Sequence, residues 1–213
     1  GLVGISFGIG SGVYGRSEIA DGVIGISNTG TGGYFGAGST GTAIEIVGKM
    51  KINSTLGVGG AQLMVPSNGD NPIWQDPIAF SVNDLGASDF SVTSGPDTKL
   101  PYTVEDFDLG NDFSTVTSEF TVPVKGIYHF DAMIMWNAHT NGAGIVAITL
   151  KINGNVHSSV RVPAVNGKEI SDMLSQDILL NANDKVAMYA YQTSGVTQVV
   201  TQNGFFSKFS GHL

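Results

Sequence analysis

An all-β fold in two unlike parts is what this sequence predicts: a glycine-repeat β-stalk, then an antiparallel jelly-roll sandwich. Three observations carry that reading. Eighteen of the 30 glycines lie within Gly1–Gly60. Those glycines recur at a short period. The rest of the chain alternates apolar and polar residues in runs separated by turn signals, with no amphipathic helix of useful length.

The repeat reads Gly, two apolar residues, Gly, any residue, then Ser or Gly. It appears at Gly1–Ser6, Gly12–Ser17, Gly22–Ser27 and Gly33–Gly38. Ala43–Val47 and Lys49–Ile52 continue it as short alternating strands. A unit this small cannot bury a core of its own, so it stacks on copies of itself or winds with other chains. Collagen is excluded because glycine does not recur strictly every third residue. A three-chain β-helix is favoured over a single-chain solenoid, since each rung has only one or two large apolar residues. A flexible linker is the bland alternative, and the register of Val, Ile, Tyr and Phe speaks against it. The predicted domains are a β-helical stalk over 1–56, a turn-rich neck over 57–77 and a head over 78–213. Trp74, in the neck, is read as a packing plug in preference to a ligand platform.

In the head, predicted strands cover Ile78–Val82, Glu119–Val122, Ile127–Trp136, Ile145–Ile152, Val156–Val162, Met173–Leu180, Lys185–Tyr191 and Phe205–Phe209. Asn153-Gly154 between two alternating runs is a strong two-residue hairpin signal. Tyr128, Phe130, Ile134 and Trp136 share one face of a strand. That face fills the sandwich core, or fills the core and also seals a threefold axis.

Loop lengths carry a further expectation. From Phe120 onward they alternate short (Pro123–Gly126, Asn153-Gly154, Asn181–Asp184) and long (Asn137–Ala143, Pro163–Glu169, Thr193–Asn203). In an up-down arrangement all the long loops fall at one end, away from the stalk and the C-terminus. Binding contacts on a rigid scaffold concentrate in such loops. The candidates for receptor binding are His139, Thr140, Asn141, Asn166, Lys168, Glu169, Gln198, Gln202 and Asn203.

Asp108, Phe113, Phe120, Gly126, Tyr128 and Phe130 are spaced as in the signature of the complement component 1q globular head, and the head resembles that family and the related tumour necrosis factors. Phe120–Phe130 looks like the centre of the motif, and Phe206–Leu213 is similar to the family's last strand. Tyr102 stands where the family usually has Phe, and Ala132 where it usually has an aromatic. The resemblance implies a compact, non-enzymatic homotrimer with both termini of the head at one end. With the repeat stalk, the whole resembles the tip of a bacteriophage tail fibre.

The net charge of −8 excludes a basic stripe for nucleic acid and argues against docking on anionic membranes. No apolar run is long enough for a membrane span. There are no cysteines, hence no disulfides or thiolate chemistry. No nucleophile elbow, phosphate loop or histidine pair at metal spacing appears. Asp106, Asp108 and Asp112 are weak metal candidates; no cofactor is expected, calcium being the one possibility. The expected function is a homotrimeric receptor-binding tip of a phage tail fibre, attaching to a bacterial surface glycan or protein and located on the virion. The alternative is a bacterial cell-surface or spore-coat protein with the same head. The chain reads as a C-terminal piece of something longer.

Overall fold

The computed structural model describes residues 51–52, 55–56, 61–64 and 72–213. The repeats over 1–50, and with them the stalk expectation, lie outside the described residues, as do 53–54, 57–60 and 65–71. Two short hairpins come first. β1 (Lys51–Ile52) pairs with β2 (Thr55–Leu56), and β3 (Gln62–Met64) with β4 (Ile73–Gln75). Trp74 lies on β4, half-buried, with its indole nitrogen shielded from solvent.

The sandwich follows. Its strands are β5 (Ala79–Asn83), β6 (Phe90–Val92), β7 (Thr98–Lys99), β8 (Val104–Asp108), β9 (Phe113–Ser114), β10 (Glu119–Thr121), β11 (Gly126–Trp136), β12 (Ile145–Ile152), β13 (Asn155–Pro163), β14 (Ile170–Leu180), β15 (Lys185–Gln192), β16 (Gln198–Val200) and β17 (Lys208–His212). In the first sheet β11 has β14 on one flank. On its other flank lie β17 and, beyond the end of β17, β16; the sheet then continues through β5 to β8, with β6 outside β16. The second sheet runs β13-β12-β15-β10-β9, with β7 also on β15. Every pairing is antiparallel.

Strict alternation along β11 builds the core. Tyr128, Phe130, Ile134 and Trp136 are fully buried, while Ile127, His129, Asp131, Met133 and Met135 point to the other side. The aromatic signature has a physical reason. Phe80 stacks on Phe120 at 4.7 Å and on Phe113 at 5.2 Å, and Phe209 meets Phe80 edge-on at 5.0 Å. Phe130 stacks on Tyr128 and Phe209. Residues distant in sequence thus share one aromatic cluster between the sheets, each buried ring contributing about 2–3 kcal/mol. Asp108 accepts from the backbone N–H of Asp112 and Phe113 at 3.1 and 2.8 Å, fixing the turn that delivers Phe113. Gly126 is small because Leu213 packs against it. Tyr102, the departure from the usual Phe, is buried and donates its hydroxyl to the Lys208 carbonyl.

Three local expectations are corrected. Thr193–Asn203 is not one long loop, because β16 lies inside it and pairs with β6 and the end of β11. The last strand begins at Lys208, not Phe205, because Asn203 folds the preceding residues into a turn: its carbonyl accepts from Phe206 and Ser207. The region between β5 and β10 holds four strands that sequence periodicity does not reveal. β8, with four of its five residues exposed, has no apolar alternation to read.

Candidate functional site

The two ends of the sandwich differ. At one end the turns are tight. Asn183 N–H donates to the Val122 carbonyl at 2.7 Å, Asn153 N–H to Lys185 at 2.8 Å, and Leu213 N–H to Ile78 at 3.1 Å. Asn153 and Gly154 both have positive φ, the conformation a two-residue turn of this hand requires. The head's first and last strands therefore meet at this end.

The other end is a crown of longer loops tied to one another. The 137–144 and 164–169 loops form a parallel bridge at His139 and Asn166, with Gly167 N–H donating to the His139 carbonyl at 2.8 Å. Asn141 Nδ2 donates to the Ser194 carbonyl at 2.9 Å, joining the 193–197 loop. Two segments that the sequence reading missed also join. Asp89 accepts from Asn137 Nδ2 at 2.6 Å and from Gln202 N–H at 3.1 Å, and Ser94 Oγ accepts from Gly195 N–H at 3.0 Å. Their signal was the Asp and Ser content of 84–97, which favours side-chain-to-backbone bonds in turns.

The candidate residues divide by exposure. Thr140, Asn166, Lys168, Glu169 and Asn203 are exposed on this crown, with Asn141 and Gln202 half-buried. His139 and Gln198 are buried within the subunit and anchor the crown instead of being presented by it. The His139 ring packs 6.1 Å from Trp136, and its Nδ1 donates to the Lys168 carbonyl at 3.1 Å. Gln198 belongs to a buried amide network that sequence inspection did not find. Gln192 Nε2 donates to the carbonyls of Val92 and Val196 at 3.0 and 2.7 Å, and its Oε1 accepts from Ser194 N–H and Oγ at 2.7 and 2.8 Å. Gln198 Nε2 then donates to Ser194 Oγ at 3.1 Å. Below the crown, Trp136 Nε1 donates to Asp172 Oδ2 at 3.0 Å. Asp172 is 1% exposed and its other oxygen has no protein partner, so burial pushes its carboxyl up to about 6.

The outward face of the first sheet is the second unusual surface. Ile127, Met173 and Leu179 are each about two-thirds exposed in the single subunit, and a groove of about 330 Å³ runs between Met133, Met173, Ser175 and Ser210. His129 lies on the same side of β11, with Nδ1 2.7 Å from Asp177 and Nε2 3.0 Å from Asp131. Its pKa is raised, chiefly by the hydrogen bond to Asp177. Tyr128, Phe130, Ile134 and Trp136 take no part in this face.

The acidic candidates do not converge. Asp106 accepts from Ser81 Oγ and Asn83 Nδ2, and Asp108 caps the 112–113 backbone. The pKa of Asp112 is raised by burial and by the nearby Asp108. Among the described residues, no group of three or more His, Asp or Glu side chains is arranged to hold a metal ion.

Among solved structures the chain is similar to the globular domain of zebrafish complement 1qA protein, with 20% identity, 64% of this chain and 96% of that one covered, and a TM-score of 0.48. It is also similar to Eiger TNF from S. frugiperda, with 12% identity, 65% and 92% covered, and a TM-score of 0.47. Comparison with curated proteins gives no match. The C1q domain model matches residues 80–213, and on that match this chain belongs to the C1q domain family.

Proposed function

We propose that the protein is a homotrimeric receptor-binding head at the tip of a fibre, of the kind carried by bacteriophage tails. The head attaches to a bacterial surface glycan or protein through the loop crown. The observation that carries this reading is the outward face of the first sheet. Ile127 and Leu179, paired across β11 and β14, and Met173, which lines a groove further along, stand exposed on a sheet whose other face is already the core. Monomeric proteins rarely keep such a patch in water. C1q and tumour necrosis factor domains commonly form trimers, and two further copies would cover these three side chains on the β11–β14 flank of the face. The crown lies at the end of the head opposite Ile78 and Leu213. The acidic surface and the glycine repeats fit an extracellular fibre on a virion. We infer no catalysis for the head: of its acidic candidates, Asp106 bonds to Ser81 and Asn83, and Asp108 caps the 112–113 backbone.

Light scattering tests the assembly directly. A trimer has three times the 22.2 kDa mass of the chain, and a folded monomer would remove the basis of the reading. Fluorescently labelled protein incubated with whole bacterial cells tests attachment. Binding that survives simultaneous replacement of Thr140, Asn166 and Lys168 by alanine would exclude this part of the crown as the contact.

A further inference from the structure

Phe205 is the most exposed aromatic ring among the described residues, 77% accessible in the single subunit. Its position is fixed by the chain around it. Asn203 Oδ1 accepts from the Phe205 N–H at 2.9 Å, and the Asn203 carbonyl accepts from Phe206 and Ser207 at 2.9 and 3.1 Å. Ser207 Oγ donates to the Thr201 carbonyl at 2.6 Å. A lone exposed ring is ordinary on a protein surface; this one gains meaning from the groove it borders.

Beside the ring lies a groove of about 310 Å³, lined by Asn83, Asp106, Asn203, Gly204, Phe205 and Lys208. Its polar groups are already organised. Asp106 accepts from Asn83 Nδ2 at 2.7 Å and from Ser81 Oγ at 3.0 Å. A carboxylate so held keeps lone pairs for further donors. Lys208, on β17, has no ion-pair partner among the described residues. The groove therefore combines one apolar ring, one fixed acceptor, an amide and an uncommitted cation. Protein partners are met by wider apolar surfaces with several anchors. A pyranose fits this set: one face of C–H bonds for the ring, and a rim of hydroxyls that both donate and accept.

We propose that the Phe205 groove is a saccharide subsite. Phe205 stacks on the C–H face of a pyranose, Asp106 accepts from its hydroxyls, and Asn203 and Lys208 donate to its oxygens. The proposal rests on the binding-head reading and gives it a ligand class and a place. Of its residues, only Asn203 was among the loop candidates expected from sequence.

Saturation-transfer NMR on the full chain tests it, with the methyl pyranosides of glucose, galactose, N-acetylglucosamine and glucuronic acid as probes. Molar mass and labelling of whole bacterial cells are measured in parallel. The expected result is transfer to the ring protons of at least one probe, with a dissociation constant on the order of 1 mM. Phe205→Ala and Asp106→Asn each weaken that binding about tenfold or more with molar mass unchanged. Lys208→Gln weakens glucuronide binding more than that of the neutral sugars. No transfer to any of the four probes overturns the subsite, as does undiminished binding by Phe205→Ala. A fall in molar mass on Phe205→Ala also overturns it, and assigns the ring to a contact between subunits. A trimer that labels cells while the groove is silent refutes the subsite alone; a protein that neither assembles nor labels cells refutes the head reading.

Discussion

At the scale of single residues, two positions carry more than their size suggests. Gln192 satisfies four groups around the 193–197 turn with one amide. Replacing it by Leu keeps the volume but strands the carbonyls of Val92 and Val196 and the donors of Ser194. We expect Gln192→Leu to destabilise the head by about 2–4 kcal/mol in chemical unfolding, since buried polar groups that lose their partners cost more than the bonds contributed. Gly211, on β17, faces the aromatic cluster. A Cβ there would lie 2.6 Å from Phe130 Cδ1 and 2.8 Å from Phe80 Cε1. Gly211→Ala is expected to lose about 1–3 kcal/mol through overpacking, with a lower thermal midpoint as the readout. Neither effect could be read from sequence. A glutamine in an alternating run looks like an exposed position, and a strand glycine looks like a weak point until its neighbours are known.

At the scale of elements, β14 holds the group whose titration the fold exploits. The Asp172 carboxyl lies under the crown, against Trp136 and in the field of His139, with its pKa raised to about 6 from an ordinary value near 3.8. The folded state thus holds the proton more tightly than the unfolded chain does. The contribution to stability is fully present below the unfolded pKa and is lost as pH rises through about 6, amounting to up to roughly 3 kcal/mol. Denaturant titrations at pH 4.5 and 7.5 should show the wild-type head gaining stability at the acidic end from this group. Asp172→Asn should abolish that increment, and an unchanged pH profile in the variant would remove the assignment. The legibility of elements followed their length and burial. β11, β12, β14 and β15 showed in the sequence because each is long and buries residues in the core, and β13 because the Asn153-Gly154 turn precedes it; loop parity put 137–143 and 163–169 at one end, where His139 and Asn166 bridge. β6, β7 and β9 did not, because two or three residues cannot establish a period. Gln198 was misjudged for the same reason: a three-residue strand inside a polar stretch reads as loop.

At the scale of the whole molecule, the sandwich has a wet face that behaves like a face awaiting a partner. Leu179 and Met173 project from β14 and Ile127 from β11, and none contributes to the subunit's core. Met173→Lys combined with Leu179→Asp should therefore leave circular dichroism unchanged while reducing the molar mass measured by light scattering to that of one chain. Loss of the fold in that variant would instead show that the outward face stabilises the subunit itself. The family was legible because its signature residues are the aromatic cluster, and packing of that kind is written in spacing. The outward face was less so: the sequence drew attention to the aromatic parity of β11, whereas the exposed apolar side chains Ile127, Met173 and Leu179 lie on the opposite one.

The pairing of β5 with β17 has a mechanical consequence. Five residue pairs join these strands, from Ala79–His212 to Asn83–Lys208, and β5 is held on its other edge by β8. Tension applied between the crown and Ile78 runs along β5, so it loads both rows of hydrogen bonds in shear, and they must break together. Pulling instead between Ile78 and Leu213 opens the β5–β17 row one rung at a time. Load carried between the crown and Ile78 thus meets the sandwich in its stronger direction.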